Sequence, residues 1–227
     1  MRTSLAACML LGAGAAGAAV VPDLRQPSPA EIAEHAQSMV VQVLAGEDPE
    51  DVQLASGVLA GGGIVLTDLR AVLVRQPDGG VAPASNIAVE TAKGVFAAHL
   101  VAVAIELDVA VLRLPDAALA LDGLPIAEEP AGAGDPLVAI RASRGHGGLA
   151  FEAIDFSVEL ADRDGSRLRS TPELPVSFAG APILDAHGSL AGLLVTSDEE
   201  HGLLVPAVAL REILRRVRTQ AQPSDDI

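Results

Sequence analysis

The chain has 227 residues, with 30 acidic side chains against 15 lysines and arginines, for a net charge of −15. So acidic a surface repels nucleic acid and anionic lipid, which basic patches attract. Its single cysteine has no partner for a disulfide or a thiolate metal site. With no Trp or Tyr, the core must come from Val, Leu, Ile and Ala, which argues against an aromatic-lined ligand pocket.

At the N-terminus Arg2 precedes a small, apolar stretch from Leu5 to Ala19, which ends Gly17-Ala18-Ala19 before Val20-Val21-Pro22. A basic start, a short apolar run and a small-residue cleavage site make a secretory signal, and the run is too short to span a bilayer. Residues 1–19 are therefore expected to be removed, leaving a soluble periplasmic or secreted chain from residue 20. Arg2 and Cys8 leave with the signal, so the mature chain is one unit more negative and has no thiol. Gly12-Ala13-Gly14-Ala15-Ala16-Gly17 fits the dinucleotide GxGxxG spacing, but Pro22 leaves no room for the helix that must follow it. Leu5-Ala6-Ala7-Cys8 has the outline of a lipoprotein box, yet only seven residues precede the cysteine, and lipidation is not expected.

Ser28-Pro29-Ala30-Glu31 is a capping box with proline at the first helical position and predicts a helix over 29–38. It leads into the apolar run Met39 to Leu44. From there to about residue 205 short apolar runs alternate with Gly, Pro and Asp. They are Val58–Ala60, Gly63–Thr67, Asn86–Glu90, Val95–Ile105, Val109–Leu114, Leu137–Arg141, Phe156–Leu160, Pro182–Leu184 and Leu190–Thr196. Many short strands at this spacing indicate an all-β sandwich or pair of barrels. Pro206 is expected to start a closing helix with Val208, Leu210, Ile213, Leu214 and Val217 as its apolar stripe. Arg215, Arg216 and Arg218 should sit in its last turn, where they suit the dipole. Residues 219–227 read as a flexible tail, and residues 20–218 as one domain.

Several blocks resemble the trypsin-like serine peptidases, and among them the bacterial HtrA/Deg branch. The family's GSGF-I-x-x-x-G-x-I-V-T-N-x-H-V is similar to the stretch from Ser56 to Val72, which runs through Gly61-Gly62-Gly63 to Thr67-Asp68-Leu69-Arg70-Ala71-Val72. D-L-A-V-L-K-I is similar to Asp108-Val109-Ala110-Val111-Leu112-Arg113-Leu114. G-D-x-V-x-A-I-G is similar to Gly134-Asp135-Pro136-Leu137-Val138-Ala139-Ile140-Arg141. The nucleophile block G-N-S-G-G-P-L is similar to Ser177-Phe178-Ala179-Gly180-Ala181-Pro182-Ile183. F-A-I-P is similar to Leu203-Leu204-Val205-Pro206. Each block alone is weak; five in the right order over residues 30–218 are more specific. The resemblance implies two six-stranded β-barrels between a short N-terminal helix and a C-terminal helix, and the chain ends too soon afterwards for the family's PDZ module.

The departures fall where the chemistry would be. Arg70 stands at the histidine position, and a guanidinium stays protonated and cannot serve as a base. Ala179 stands at the nucleophile position and offers only a methyl group. Asp108 keeps the third position, and the resemblance places it opposite Arg70 across the cleft between barrels. Ser177 takes the place of the glycine whose N–H helps hold the oxyanion, and Phe178 and Gly180 complete that loop. Ser177 reads as a loop serine rather than a relocated nucleophile. His99, His146, His187 and His201 read as surface histidines. The acidic runs Asp48/Glu50/Asp51, Glu128/Glu129 and Asp198/Glu199/Glu200 read as solvated turns. Gly61-Gly62-Gly63 lacks the Lys-Ser/Thr of a phosphate loop and reads as a hairpin turn. No cofactor or metal is expected.

The leading expectation is thus an exported, inactive relative of the serine peptidases that binds a protein or peptide partner in the cell envelope. Two rivals stay open: an active hydrolase with a relocated constellation, and a scaffolding subunit whose cleft is irrelevant. A third alternative is an unrelated β protein in which Arg70 and Ala179 are ordinary strand-end residues.

Overall fold

The computed structural model describes residues 27–48, 51–76, 78–160, 168–171, 173–196 and 202–220. The expected signal 1–19, His201 and the run Asp198/Glu199/Glu200 lie outside the described residues, as do Glu50 and the end of the tail.

Helix α1, Pro29–Ala36, starts as its capping box dictates. The Glu31 amide donates to Ser28 Oγ at 3.3 Å, and the Ser28 amide donates back to Glu31 Oε2 at 2.8 Å. It buries Ile32, Ala33 and Ala36 and is shorter than expected, tightening into a 3₁₀ turn over Gln37–Met39.

The first barrel holds strands β1 (Val40–Gly46), β2 (Gln53–Leu59), β3 (Ile64–Asp68), β6 (Asn86–Thr91), β7 (Gly94–Ala97), β8 (His99–Ala104) and β9 (Val109–Arg113). A small hairpin of β4 (Leu73–Arg75) and β5 (Val81–Pro83) lies to one side. The sheet runs in the order β7-β6-β1-β2-β3-β9-β8, antiparallel throughout. Its two outer strands are halves of one. Only Ala98 separates β7 from β8, and its amide donates to the Ile87 carbonyl at 2.8 Å, extending the pairing with β6 before β8 turns to pair with β9. Residues 94–104 are therefore a single bent strand that closes a six-stranded barrel, as the unbroken run Val95–Ile105 anticipated. The turn Gly61-Gly62-Gly63 joins β2 to β3 with φ of 81°, 62° and 70°, a sequence of left-handed conformations that suits glycine.

The second barrel is closed in the order β10-β11-β12-β15-β14-β13. Its strands are β10 (Leu137–Gly145), β11 (Gly148–Leu160), β12 (Leu168–Thr171), β13 (Pro182–Leu184), β14 (Leu190–Thr196) and β15 (Gly202–Pro206). The run Phe156–Leu160 is thus only the end of a 13-residue strand that opens at a hairpin with β10. Polar and charged residues interrupt β10 and β11 near that hairpin, so period-two apolar counting stops short of it.

Pro206 ends β15, and helix α2 begins one residue later, Ala207–Gln220. Ala207, Leu210, Leu214 and Val217 form its buried face, while Val208, expected in that stripe, is 55% exposed. Only Arg218 sits in the last turn. Arg215 and Arg216 lie one turn earlier and hold Glu212 at 2.8 Å, which keeps that carboxyl down at about 2. Residues 219 and 220 belong to the helix rather than to a tail. Among the described residues no helix is long and apolar enough to cross a membrane.

One apolar cluster fills the first barrel and runs through the seam to α2; a smaller one, with Leu137, Phe156, Phe178 and Ile183, fills the second barrel. Ser56 rivets the seam. Its hydroxyl is buried, accepts the Ala142 amide at 3.0 Å and lies 3.4 Å from the Ala142 carbonyl as donor.

Candidate functional site

The three positions that the resemblance assigns to a triad are carried by three separate 3₁₀ turns. Strand β3 ends at Asp68, and the chain tightens into a 3₁₀ turn over Leu69–Val72 that carries Arg70, half-buried. A second 3₁₀ turn, Ile105–Leu107, ends at Asp108, the sole non-glycine at positive φ (53°) among the described residues. A short polar side chain tolerates that conformation better than a bulky one. The Leu69 amide donates to the Asp108 carbonyl at 2.8 Å. Arg70 and Asp108 are thus neighbours on the rim of the first barrel. The expectation that they face each other across the cleft is corrected, because β3 and β9 are paired strands, with Asp68 opposite Val109. Ala179 belongs to the second barrel.

Ala179 caps a third 3₁₀ turn, Val176–Phe178. The Phe178 amide donates to the Pro175 carbonyl at 2.9 Å and the Ala179 amide to the Val176 carbonyl at 3.0 Å. The Gly180 amide is bound by the Leu194 carbonyl at 2.8 Å, and the Ala179 carbonyl accepts from the Ser56 amide at 2.9 Å. An oxyanion is stabilised by backbone donors aimed into empty space at the nucleophile. Here the donor of residue 179 is spent inside its own turn. Ser177 is exposed and does not adopt positive φ; in place of the inward-turned glycine of the resembling block, the chain makes a 3₁₀ turn. Phe178 is 1% exposed and fills the second barrel's core. Gly180 has φ 77°, and a Cβ there would drive into the Ser56 carbonyl.

The site also holds a residue that sequence reasoning passed over. Asp68 is fully buried. Its Oδ1 accepts the Arg70 amide at 2.7 Å, and its Oδ2 accepts the Thr196 amide, on the second barrel, at 2.7 Å. Burial pushes its carboxyl above the usual carboxylate range. Hydrogen bonds from the Thr196 hydroxyl and amide and from the Arg70 amide oppose that, and nearby Asp108 adds to it. The buried carboxylate beside position 70 is therefore Asp68, whereas Asp108 is half-buried. A signal was present, since the resembling block has asparagine where this chain has Asp68.

The other candidates stand elsewhere. His99 opens β8 opposite Arg113, at the far end of the β8–β9 pair from Asp108. His146 lies in the β10–β11 turn and His187 in a turn capped by Asp185, both exposed. Glu128 and Glu129 line a separate recess of about 770 Å³ with Asp135, Asp185 and His187. Among the described residues no three His, Cys, Asp or Glu side chains could hold a metal ion together.

No protein-family model and no curated protein matches the chain. Solved structures do match its fold. The active form of the Rv3671c protease of M. tuberculosis is similar over 85% of this chain and 88% of its own, at 22% identity and a TM-score of 0.64. The serine endoprotease of Yersinia pestis is similar over 84% of this chain and 66% of its own, at 22% identity and a TM-score of 0.66. The HtrA-type protease AlgW, solved with a tripeptide, is similar over 86% and 65%, at 21% identity and a TM-score of 0.65. The two barrels with their flanking helices are the trypsin-like fold.

Proposed function

We propose that this chain is an exported, catalytically inert relative of the trypsin-like serine proteases that binds a protein or peptide partner. One observation carries the reading: residue 179 brings a methyl group to the nucleophile position, and its amide is bonded to Val176 rather than turned to the cleft. Arg70 supports it, because a guanidinium cannot take the proton that a serine must lose. Loss of both partners from such a unit costs on the order of a millionfold in turnover. What remains is a two-barrel scaffold whose outer surface beside the seam is free to hold a partner without cutting it.

Purified protein is expected to show no labelling by a fluorophosphonate probe and no hydrolysis of casein or of activated esters above buffer. Stoichiometric labelling at any serine would sink this reading and establish a relocated nucleophile.

A further inference from the structure

We propose that Phe178, Arg141 and Glu152 form a latch that holds the loop around residue 179 shut, so that its amide is withheld from any carbonyl or anionic oxygen entering the cleft. The inference builds on the inert reading and adds the device that keeps the loop closed.

Two departures from the resembling blocks lie far apart in the sequence: Phe178 where the nucleophile block has asparagine, and Arg141 where another block has glycine. The fold brings them into contact. The Arg141 guanidinium carbon lies 5.3 Å from the centroid of the Phe178 ring, within the range at which a cation is attracted to an aromatic face. Glu152, directly opposite Arg141 in the β10–β11 pair, takes its Nε and Nη2 on one carboxylate oxygen at 2.7 and 2.6 Å. The guanidinium is thereby fixed in one orientation over the ring.

The ring itself has no freedom to leave. Phe178 is 1% exposed among Leu137, Ala139, Phe156 and Val158. Because Phe178 is the last residue of the 3₁₀ turn, rotating the amide of residue 179 into the cleft means unwinding that turn. That motion breaks the bond from the Ala179 amide to Val176 and pulls on the backbone that seats the ring in its socket. Arg141 covers the way out. A glycine at 141 could not, and an asparagine at 178 would have no ring to cover.

The test reads amide hydrogen exchange in the full mature chain. Arg141→Gln and Glu152→Gln, both changes of partly exposed side chains, are expected to speed exchange of the Phe178 and Ala179 amides at least tenfold, while β14 amides such as Leu193 stay unchanged. Unaltered exchange at 178 and 179 in both variants would overturn the latch. So would an equal acceleration in β14, which marks general loosening. The two ideas fail separately: fluorophosphonate labelling of the unmodified protein removes the inert reading, whereas unaltered exchange removes only the latch.

Discussion

Asp68 is a costly residue to place where it is. A buried ionised carboxylate loses its hydration, and three donors, the Arg70 amide and the Thr196 amide and hydroxyl, give back only part of it. Its folded pKa is raised above the unfolded value of 3.8. The folded state therefore binds that proton more tightly than the unfolded one. The stability this group contributes is full below about pH 3.8 and is lost as pH rises through the folded value. Asp68→Asn removes the titration but sets an amide NH₂ or a lone oxygen against two backbone donors, a penalty that does not change with pH. We expect the stability of wild type minus that of Asp68→Asn, from chemical denaturation between pH 3 and 7, to fall as pH rises. A difference independent of pH would show that Asp68 titrates as an ordinary surface carboxylate. The sequence showed Asp68 as one letter in a strand end; nothing in its neighbours tells that β14 arrives there from more than a hundred residues later with a free amide.

At the scale of elements, what was legible follows from local physics. The α1 capping box, the triple-glycine turn and the apolar runs of β13 and β14 are determined by residues within a few positions of one another, and they stand where expected. What was not legible depends on partners distant in sequence. The position of Val208 was misjudged because Ala207, small and easily overlooked, takes the buried place instead. The loop 175–180 was readable in its losses, Ala179 for the nucleophile and Ser177 for glycine, but not in its conformation, which depends on Phe178 reaching the second core. That conformation decides what reversion can achieve. Arg70→His with Ala179→Ser restores two side chains, yet leaves the amide of residue 179 bonded to Val176. Loss of a single oxyanion donor costs roughly 10²–10³ in rate. The double revertant is expected to fold and to hydrolyse activated esters at least a hundredfold more slowly than an ordinary serine protease, as a steady-state assay against a matched active enzyme would show. Comparable rates would mean that the turn opens freely.

At the scale of the molecule, polar ties between the two barrels among the described residues include Ser56 with Ala142 and with Ala179, Asp68 with Thr196, and Arg144 with Glu90 at 3.0 Å. Each spans a long stretch of chain, so the seam forms only when both barrels have folded. The absence of thiols from residue 20 onward leaves that part of the chain indifferent to an oxidising compartment. Export is part of the proposed function and has its own test. Expressed with its leader in a bacterial host, the protein is expected to be recovered from the periplasm or medium with an intact mass that begins near Val20. Recovery of the uncut chain from the cytoplasm would remove export from the proposal.

Gly180 serves the packing of the seam before it serves any chemistry. The glycine after a nucleophile is commonly read as part of the catalytic apparatus, and its survival as a trace of activity. In this chain any side chain at 180 would collide with the Ser56 carbonyl, and the backbone there is left-handed. The packing of the seam therefore requires glycine at 180 whatever residue 179 can do. A glycine at this place in a chain of this fold is thus a mark of a closely packed seam, and by itself it says nothing of whether the chain can cut a substrate.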